Sequence, residues 1–330
     1  LLALMLGLSI LLVSNSSIKF SKETSPYKLK NNLNSSELVS FKASTKENKY
    51  VLNISKKIHK FSPGISTNVL SYNNVVPGPL ISGNKGEEIT VKVYNNMDEP
   101  TTVHWHGLQV DNDQDGVPDI TQKKIMPGDS MLYTLKLKNP GTYWYHSHFD
   151  GHKQVESGLN GPLIVYDENE EIFHDEIILM FDDVLLDNYN QFRDFDLGKM
   201  HGRFGNILLL NGVYNPTLNS NGGNVRIRLI NSANARTFFL SFGNRIVSVI
   251  GEDIGRTNPY NVSLLRISPG ERFDILIKAD NEKIPIYQNT NRGKVQLGEI
   301  IFTNINQNLN LNNNNIKIKF MMMTIIKTLI

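Results

Sequence analysis

From Tyr50 to Thr303 the chain is written in short alternating runs, and that alternation is the strongest constraint on its fold. Glu88-Ile89-Thr90-Val91-Lys92-Val93-Tyr94, Met131-Leu132-Tyr133-Thr134-Leu135-Lys136-Leu137, Val225-Arg226-Ile227-Arg228-Leu229 and Phe273-Asp274-Ile275-Leu276-Ile277 are separated by Gly, Pro and Asn. A period of two sends successive side chains to opposite faces, so each run reads as a strand with one buried face. No long stretch carries the 3.6-residue period of a helix. The expected fold class is all-β: two tandem Greek-key β-sandwiches.

An internal echo supports the count of two. Ile89 to Asn95 is matched by Val225 to Asn231, and Pro127-Gly128-Asp129 by Pro269-Gly270-Glu271, at offsets of 136 and 142 residues. Those spacings are one domain length, far beyond a solenoid repeat. The expected boundaries are 49–168 and 169–303 for the sandwiches. A flexible arm is expected over 20–48, and an Asn-rich tail over 304–330, where eight of twelve residues from Asn304 to Asn315 are Asn. Leu1 to Val13 is an apolar run too short to span a bilayer, followed by small residues Ser14, Ser16 and Ser17. It fits the apolar region of a secretory signal. With no initiator Met, residues 1–19 read as a signal-peptide remnant and the protein as secreted. Acceptor triplets at Asn34, Asn53 and Asn261 are compatible with that route. No transmembrane span is expected.

Charge removes further classes. Lys and Arg number 34 against 32 Asp and Glu, and the basic residues never run beyond pairs such as Lys56-Lys57. No basic field exists to hold nucleic acid. Cysteine is absent, which excludes disulfides, thiol catalysis and any copper site with a thiolate ligand.

The chemistry concentrates in His104-Trp105-His106-Gly107 and Tyr143-Trp144-Tyr145-His146-Ser147-His148. On a strand, residues i and i+2 share a face, so each His-x-His pair aims two imidazoles at one spot. One such pair is as readily a histidine satisfied within the core. Two pairs, placing four of the eight histidines within 45 residues, point to a metal site of the kind that copper, zinc, iron or nickel accepts. Trp105 and Trp144 are expected to pack in the core on the reverse faces of the ligand strands. His59, His152, His174 and His201 lie outside any such spacing. Asp111-x-Asp113-x-Asp115-Gly116 imitates the start of a calcium loop, but Gln122 stands where the bidentate Glu would be.

These motifs resemble those of the multicopper oxidases. His104-Trp105-His106-Gly107, Asp115-Gly116-Val117-Pro118 and Pro127-Gly128 are similar to the family's first copper motif. Gly141 to His148, with Gly158-Leu159-Asn160-Gly161-Pro162-Leu163-Ile164-Val165, is similar to the second. Val76-Pro77-Gly78-Pro79 resembles the family's opening element. Asn211-Gly212, Arg228 to Asn231 and Pro269 to Asp274 resemble its second, non-copper domain. The resemblance covers about residues 50–303. It implies cupredoxin-type sandwiches, with a trinuclear copper cluster clamped between the first and last. Carried over by motif position, His104 would bind the type 2 copper, His106 and His146 one type 3 copper, and His148 the other. Asp115 resembles the family's proton-handling acid, although it is equally well placed as a turn residue before Gly116.

The family completes its cluster with four more histidines and a Cys-bound type 1 copper from a last domain, which this sequence does not encode. The expectation is therefore a partial type 2/type 3 copper site, inactive as an isolated chain. A partner chain supplying the third domain would be needed for turnover. Two functions stay open on the sequence: the N-terminal part of an oxidase that reduces dioxygen to water, or a non-catalytic copper-binding or structural pair of sandwiches.

Overall fold

Ile89, Val91 and Val93 are completely buried, while the residues between them are at least partly open. The alternation read in the sequence is thus the alternation of the pleat. The computed structural model describes residues 32–34 and 48–303, apart from 168, 171–172, 197–201, 254 and 280–282. The signal remnant, most of the arm and the Asn-rich tail lie outside the described residues.

In chain order, the first strands are β1 (Asn32–Asn34), β2 (Lys49–Ser62), β3 (Ile65–Tyr72), β4 (Ile81–Asn84), β5 (Glu88–Asn95), β6 (Val103–His106), β7 (Ser130–Lys136), β8 (Gly141–Ser147) and β9 (Asn160–Tyr166). A short helix α1 (Gly151–Gln154) separates the last two. The second series is β10 (Asp175–Val184), β11 (Ile207–Leu210), β12 (Thr217–Ser220), β13 (Gly223–Asn231), β14 (Phe238–Phe242), β15 (Val247–Glu252), β16 (Gly255–Val262), β17 (Leu265–Ile267), β18 (Arg272–Ala279), β19 (Lys283–Thr290) and β20 (Gly293–Phe302).

The fold is all-β, as expected. Sheets β3-β2-β5-β7 and β4-β9-β8-β6 form the first sandwich, and β1-β12-β20-β19-β14-β17 and β11-β10-β13-β18-β15-β16 form the second. Within the segment read as an arm, Asn32–Asn34 pairs in parallel with Thr217–Asn219. Each sandwich has its own apolar core. Trp105, Tyr133 and Tyr145 sit in the first, and Phe181, Phe238 and Phe242 in the second.

The repeat seen in the sequence extends to individual hydrogen bonds. β5 runs parallel to β2 and antiparallel to β7; β13 runs parallel to β10 and antiparallel to β18. Asn95 closes the first motif, its side chain donating to the Glu99 and Ile125 carbonyls and accepting from Met97 N–H. Asn231 repeats this with the Arg236 and Ile267 carbonyls and Ala233 N–H. Gly128 N–H donates to the Asn95 carbonyl at 2.8 Å, and Gly270 N–H to the Asn231 carbonyl at 2.9 Å.

The sandwiches meet along β8, which contacts β13, β16 and β18, and again where Phe61 and Val69 pack against Val184 and Leu209. An apolar cluster of Leu80, Trp144, Ile164, Ile178, Met180 and Ile230 fills the join. Beside it lies a polar knot around the fully buried Arg228. Arg228 Nη1 donates to Thr142 Oγ1 at 2.7 Å and to the Asp274 carboxylate at 3.0 Å, and Thr142 Oγ1 donates to Asp274 at 2.5 Å. A buried guanidinium is tolerable only with such partners.

Candidate metal centre

β6 and β8 lie antiparallel, with Val103 opposite Ser147, His104 opposite His146, and His106 opposite Trp144. Val103, Trp105, Tyr145 and Ser147 have no exposure and face the first core. The histidines therefore take the other face, as the two-residue period requires. A slip of one residue would expose Trp105 and Tyr145, each worth about 2–3 kcal/mol of burial, so the core fixes the register that presents the imidazoles.

Three of the four expected ligands converge closely. His104, His106 and His146 offer nitrogens mutually within 4.8 Å, the one such trio of potential ligands found among the described residues. His148 follows the end of β8 and is exposed. Its ring centroid stands 5.4 Å from that of His104 and 6.4 Å from that of His146, at the rim of the same cluster.

Backbone carbonyls set which nitrogen is free. His146 Nδ1 lies 2.8 Å from the Ser147 carbonyl and His104 Nδ1 2.7 Å from the Asp115 carbonyl. Each Nδ1–H donates there, leaving the Nε2 lone pair free for a metal ion. His146 Nε2 is 3.3 Å from His106 Nδ1. Two nitrogens bound to one ion at about 2 Å and about 110° would lie about 3.3 Å apart.

Asp115 reaches this position through Gly116. That glycine has φ +82°, and a Cβ on it would fall 2.0 Å from the Val103 carbonyl oxygen. Only glycine lets the turn press against β6. The Asp115 carboxylate stands 3.3 Å from His104 Nδ1 and is about one-third exposed.

Trp144 departs from expectation. It shares the ligand face with His146 instead of lying on the reverse face, because residues 144 and 146 are two apart on one strand. Its ring stacks on His106 with centroids 4.8 Å apart and contacts His146 at 4.3 Å. Period two alone would have revealed this. Gly270 and Arg272 carry no local sequence signal for the metal site, since they approach it only through the packing of the second sandwich. An open cleft of about 440 Å³ is lined by the four histidines and Trp144 on one side, and by Ser232, Ala233, Asn234, Pro269 and Gly270 on the other.

Burial, with lesser contributions from Arg272 and the neighbouring imidazoles, pushes His106 down to about 4; burial likewise pushes His146 down to about 3. Both rings are neutral near pH 7, with lone pairs available. An all-imidazole, uncharged donor set of this kind suits copper, zinc, iron or nickel.

The remaining histidines are used elsewhere. His59 Nε2 bonds to the Gly212 carbonyl at 2.8 Å, His152 pairs with Asp150 at 3.0 Å, and His174 accepts from Asn224 N–H at 3.0 Å. His201 lies outside the described residues. The calcium-like run does not converge: Asp111 pairs with Lys136 at 3.2 Å, while Asp115 faces His104.

Family models described as multicopper oxidase match residues 53–170 and again residues 202–315. The chain belongs to the multicopper oxidase family. Among its relatives, the multicopper oxidase mco of Staphylococcus haemolyticus is 32% identical over 257 residues, covering 73% of this chain and 56% of that protein. Laccase-1 of Thanatephorus cucumeris is 34% identical over 245 residues, covering 66% of this chain and 42% of that protein. A multi-copper oxidase crystal structure from Pseudomonas Thermotolerans superposes with a TM-score of 0.72 at 27% identity, over 77% of this chain and 63% of that one. This multicopper oxidase chain thus has the family's cupredoxin-like fold and spans about half the length of the curated relatives it matches. No helix among the described residues is long and apolar enough to cross a membrane.

Proposed function

We propose that this chain carries the first-sandwich share of a multicopper oxidase's trinuclear copper site, with His104, His106, His146 and His148 as ligands. The whole enzyme would couple oxidation of a donor to reduction of dioxygen to water. The observation that carries this reading is the convergence of neutral imidazoles from β6 and β8, with the His106 and His146 nitrogens 3.3 Å apart. That spacing supports His106 and His146 sharing one type 3 ion. Motif position supports His104 at the type 2 ion and His148 at the other type 3 ion.

Copper, when bound, supplies one-electron redox chemistry at this cleft. The chain's own residues hold and orient the ligands. The Ser147 and Asp115 carbonyls fix two tautomers, and Trp144 backs two rings against the cleft. Asp115, partly exposed and within reach of His104, is suited to hold a proton close to where oxygen would be reduced. The sequence contains no Cys, so a thiolate-bound copper and the remaining ligands come from residues beyond it or from a partner chain. The apolar Leu1 to Val13 run, outside the described residues, supports export.

Copper titration of the wild type, His104→Ala and His146→Ala tests the ligand assignment. Loss of bound copper in both variants is expected, and equal uptake by all three proteins would overturn it. Oxygen uptake by the 330-residue chain alone is expected to be absent and to appear once a thiolate-bearing domain is supplied. Turnover by the isolated copper-loaded chain would refute the second half.

A further inference from the structure

Arg272 opens β18, yet its guanidinium lies under the metal centre of the other sandwich. It is 4% exposed. Nε donates to the Thr142 carbonyl at 3.1 Å, Nη1 to the Gly270 carbonyl at 3.0 Å, and Nη2 to the Asp253 carbonyl at 2.6 Å. The Asp253 carboxylate meets Nη1 at 2.9 Å and supplies the opposite charge. One planar cation therefore ties together three stretches of backbone.

Two of those stretches bear on the histidines. Thr142 lies on β8, four residues before His146. Gly270 is the tip of the Ser268–Glu271 turn, closed by a 3.0 Å bond from Glu271 N–H to the Ser268 carbonyl, with φ +82°. The His106 ring rests on this tip: a methyl group on Gly270 would stand 3.0 Å from His106 Cε1 and 3.1 Å from Nε2. From the other side, Gly107 follows His106 directly, and a Cβ there would come within 2.2 Å of Arg272 Nη2. The guanidinium thus touches the backbone beside His106 while holding the turn on which its ring leans.

We infer that Arg272 is a positioning residue of the metal centre, locking the Pro269-Gly270 turn of the second sandwich against His106 and so setting the orientation of that ring. This rests on the copper reading for its consequence, though not for its geometry. Lysine cannot substitute, because a single ammonium has neither the planar fork nor the reach to three carbonyls arranged around it. Trp144 on one side and the Gly270 turn on the other leave the His106 ring little freedom.

The test compares the wild-type chain with Arg272→Lys, Gly270→Ala and, as a control, Arg228→Lys, which loosens the same domain join without touching the turn. Three measurements are made: the His106 Cε1–H resonance of metal-free protein, Cu(II) affinity with its electron paramagnetic resonance spectrum, and urea denaturation. Arg272→Lys and Gly270→Ala are expected to move the His106 resonance and to weaken Cu(II) binding about 10- to 100-fold, as loss of a partner behind a metal ligand does. Arg228→Lys is expected to lower stability while leaving both signals in place. The inference fails if the first two variants are folded with a wild-type resonance and copper spectrum. It also fails if Arg228→Lys reproduces their effects, since Arg272 would then be merely structural. Should the wild type take up no copper, the copper reading falls, while the His106 resonance still decides this inference. If Arg272→Lys does not fold, Gly270→Ala decides it.

Discussion

His104 donates its Nδ1–H to the backbone carbonyl of Asp115 at 2.7 Å, so the peptide unit, more than the carboxylate, selects the tautomer of this imidazole. The peptide reaches that position because Gly116 presses against the Val103 carbonyl. Replacing it with alanine adds a 2.0 Å clash to an unfavourable φ of +82°. Gly116→Ala is expected to destabilise the chain by more than about 2 kcal/mol and to weaken copper binding. Urea denaturation and copper titration check this. Wild-type values in both would mean the turn is not held by sterics.

Removing the Trp144 ring should act on both stability and metal. The residue is 5% exposed and packs in the join between sandwiches, so Trp144→Ala is expected to cost about 3–5 kcal/mol. Its indole nitrogen has no hydrogen-bond partner among the described residues, so Trp144→Phe should lose much less and keep the ring backing His106. Calorimetry and the copper spectrum of the two variants separate these effects. Equal losses would argue against stacking as its role.

The two half-buried imidazoles make the metal-free protein acid-sensitive. His106 and His146 are held at about 4 and about 3, against about 6.5 in the unfolded chain. Between these values the unfolded chain binds more protons, so stability falls as pH drops from about 6.5 to about 3. Above about 6.5 these groups contribute no slope. His146→Ala is expected to flatten part of that fall, by the order of a few kcal/mol. Denaturation at a series of pH values measures it, and an unchanged profile would contradict the assignment.

At the sandwich join burial raises both of two adjacent carboxyls, but among the described residues only Asp183 has a cation partner, Arg236. Burial, with Asp183 and Glu156 nearby, holds Asp182 well above the usual carboxyl range. Its folded form binds the extra proton, so its contribution to stability declines as pH rises above the unfolded value of about 3.9. Asp182→Asn is expected to match or exceed wild-type stability at pH 7–8. Asp183 is raised by burial too, but it accepts from Arg236 Nε at 2.6 Å and Gly205 N–H at 2.5 Å, which partly offset the shift. Asp183→Asn is expected to cost about 3 kcal/mol, because it leaves a paired cation without its charge. Denaturation of both variants at pH 7.5 distinguishes them. A stabilised Asp183→Asn would reverse the assignment.

Local pattern made the strands, the repeat and four histidines legible, because period two and the His-x-His spacing are written within one strand. Asn95 and Asn231 even match in sequence position and in bonding. Trp144 is open to the same reasoning: its neighbours in the motif suggest core packing on the reverse face, while its parity with His146 decides the face. Arg272 could not be read this way. Its partners Thr142 and Gly107 lie far back in the chain and belong to another sandwich, so its role exists only after the two bodies dock. The Asp115 carbonyl was equally hidden, because backbone groups leave no mark on a list of side chains.

The wall behind His106 is built from a turn more than 160 residues downstream. The first sandwich, excised and grafted elsewhere, would keep its imidazoles yet lose the surface that steadies one of them. Transplanting the motif strands therefore would not transplant the site; the smallest portable unit is the pair, joined as it is at Thr142.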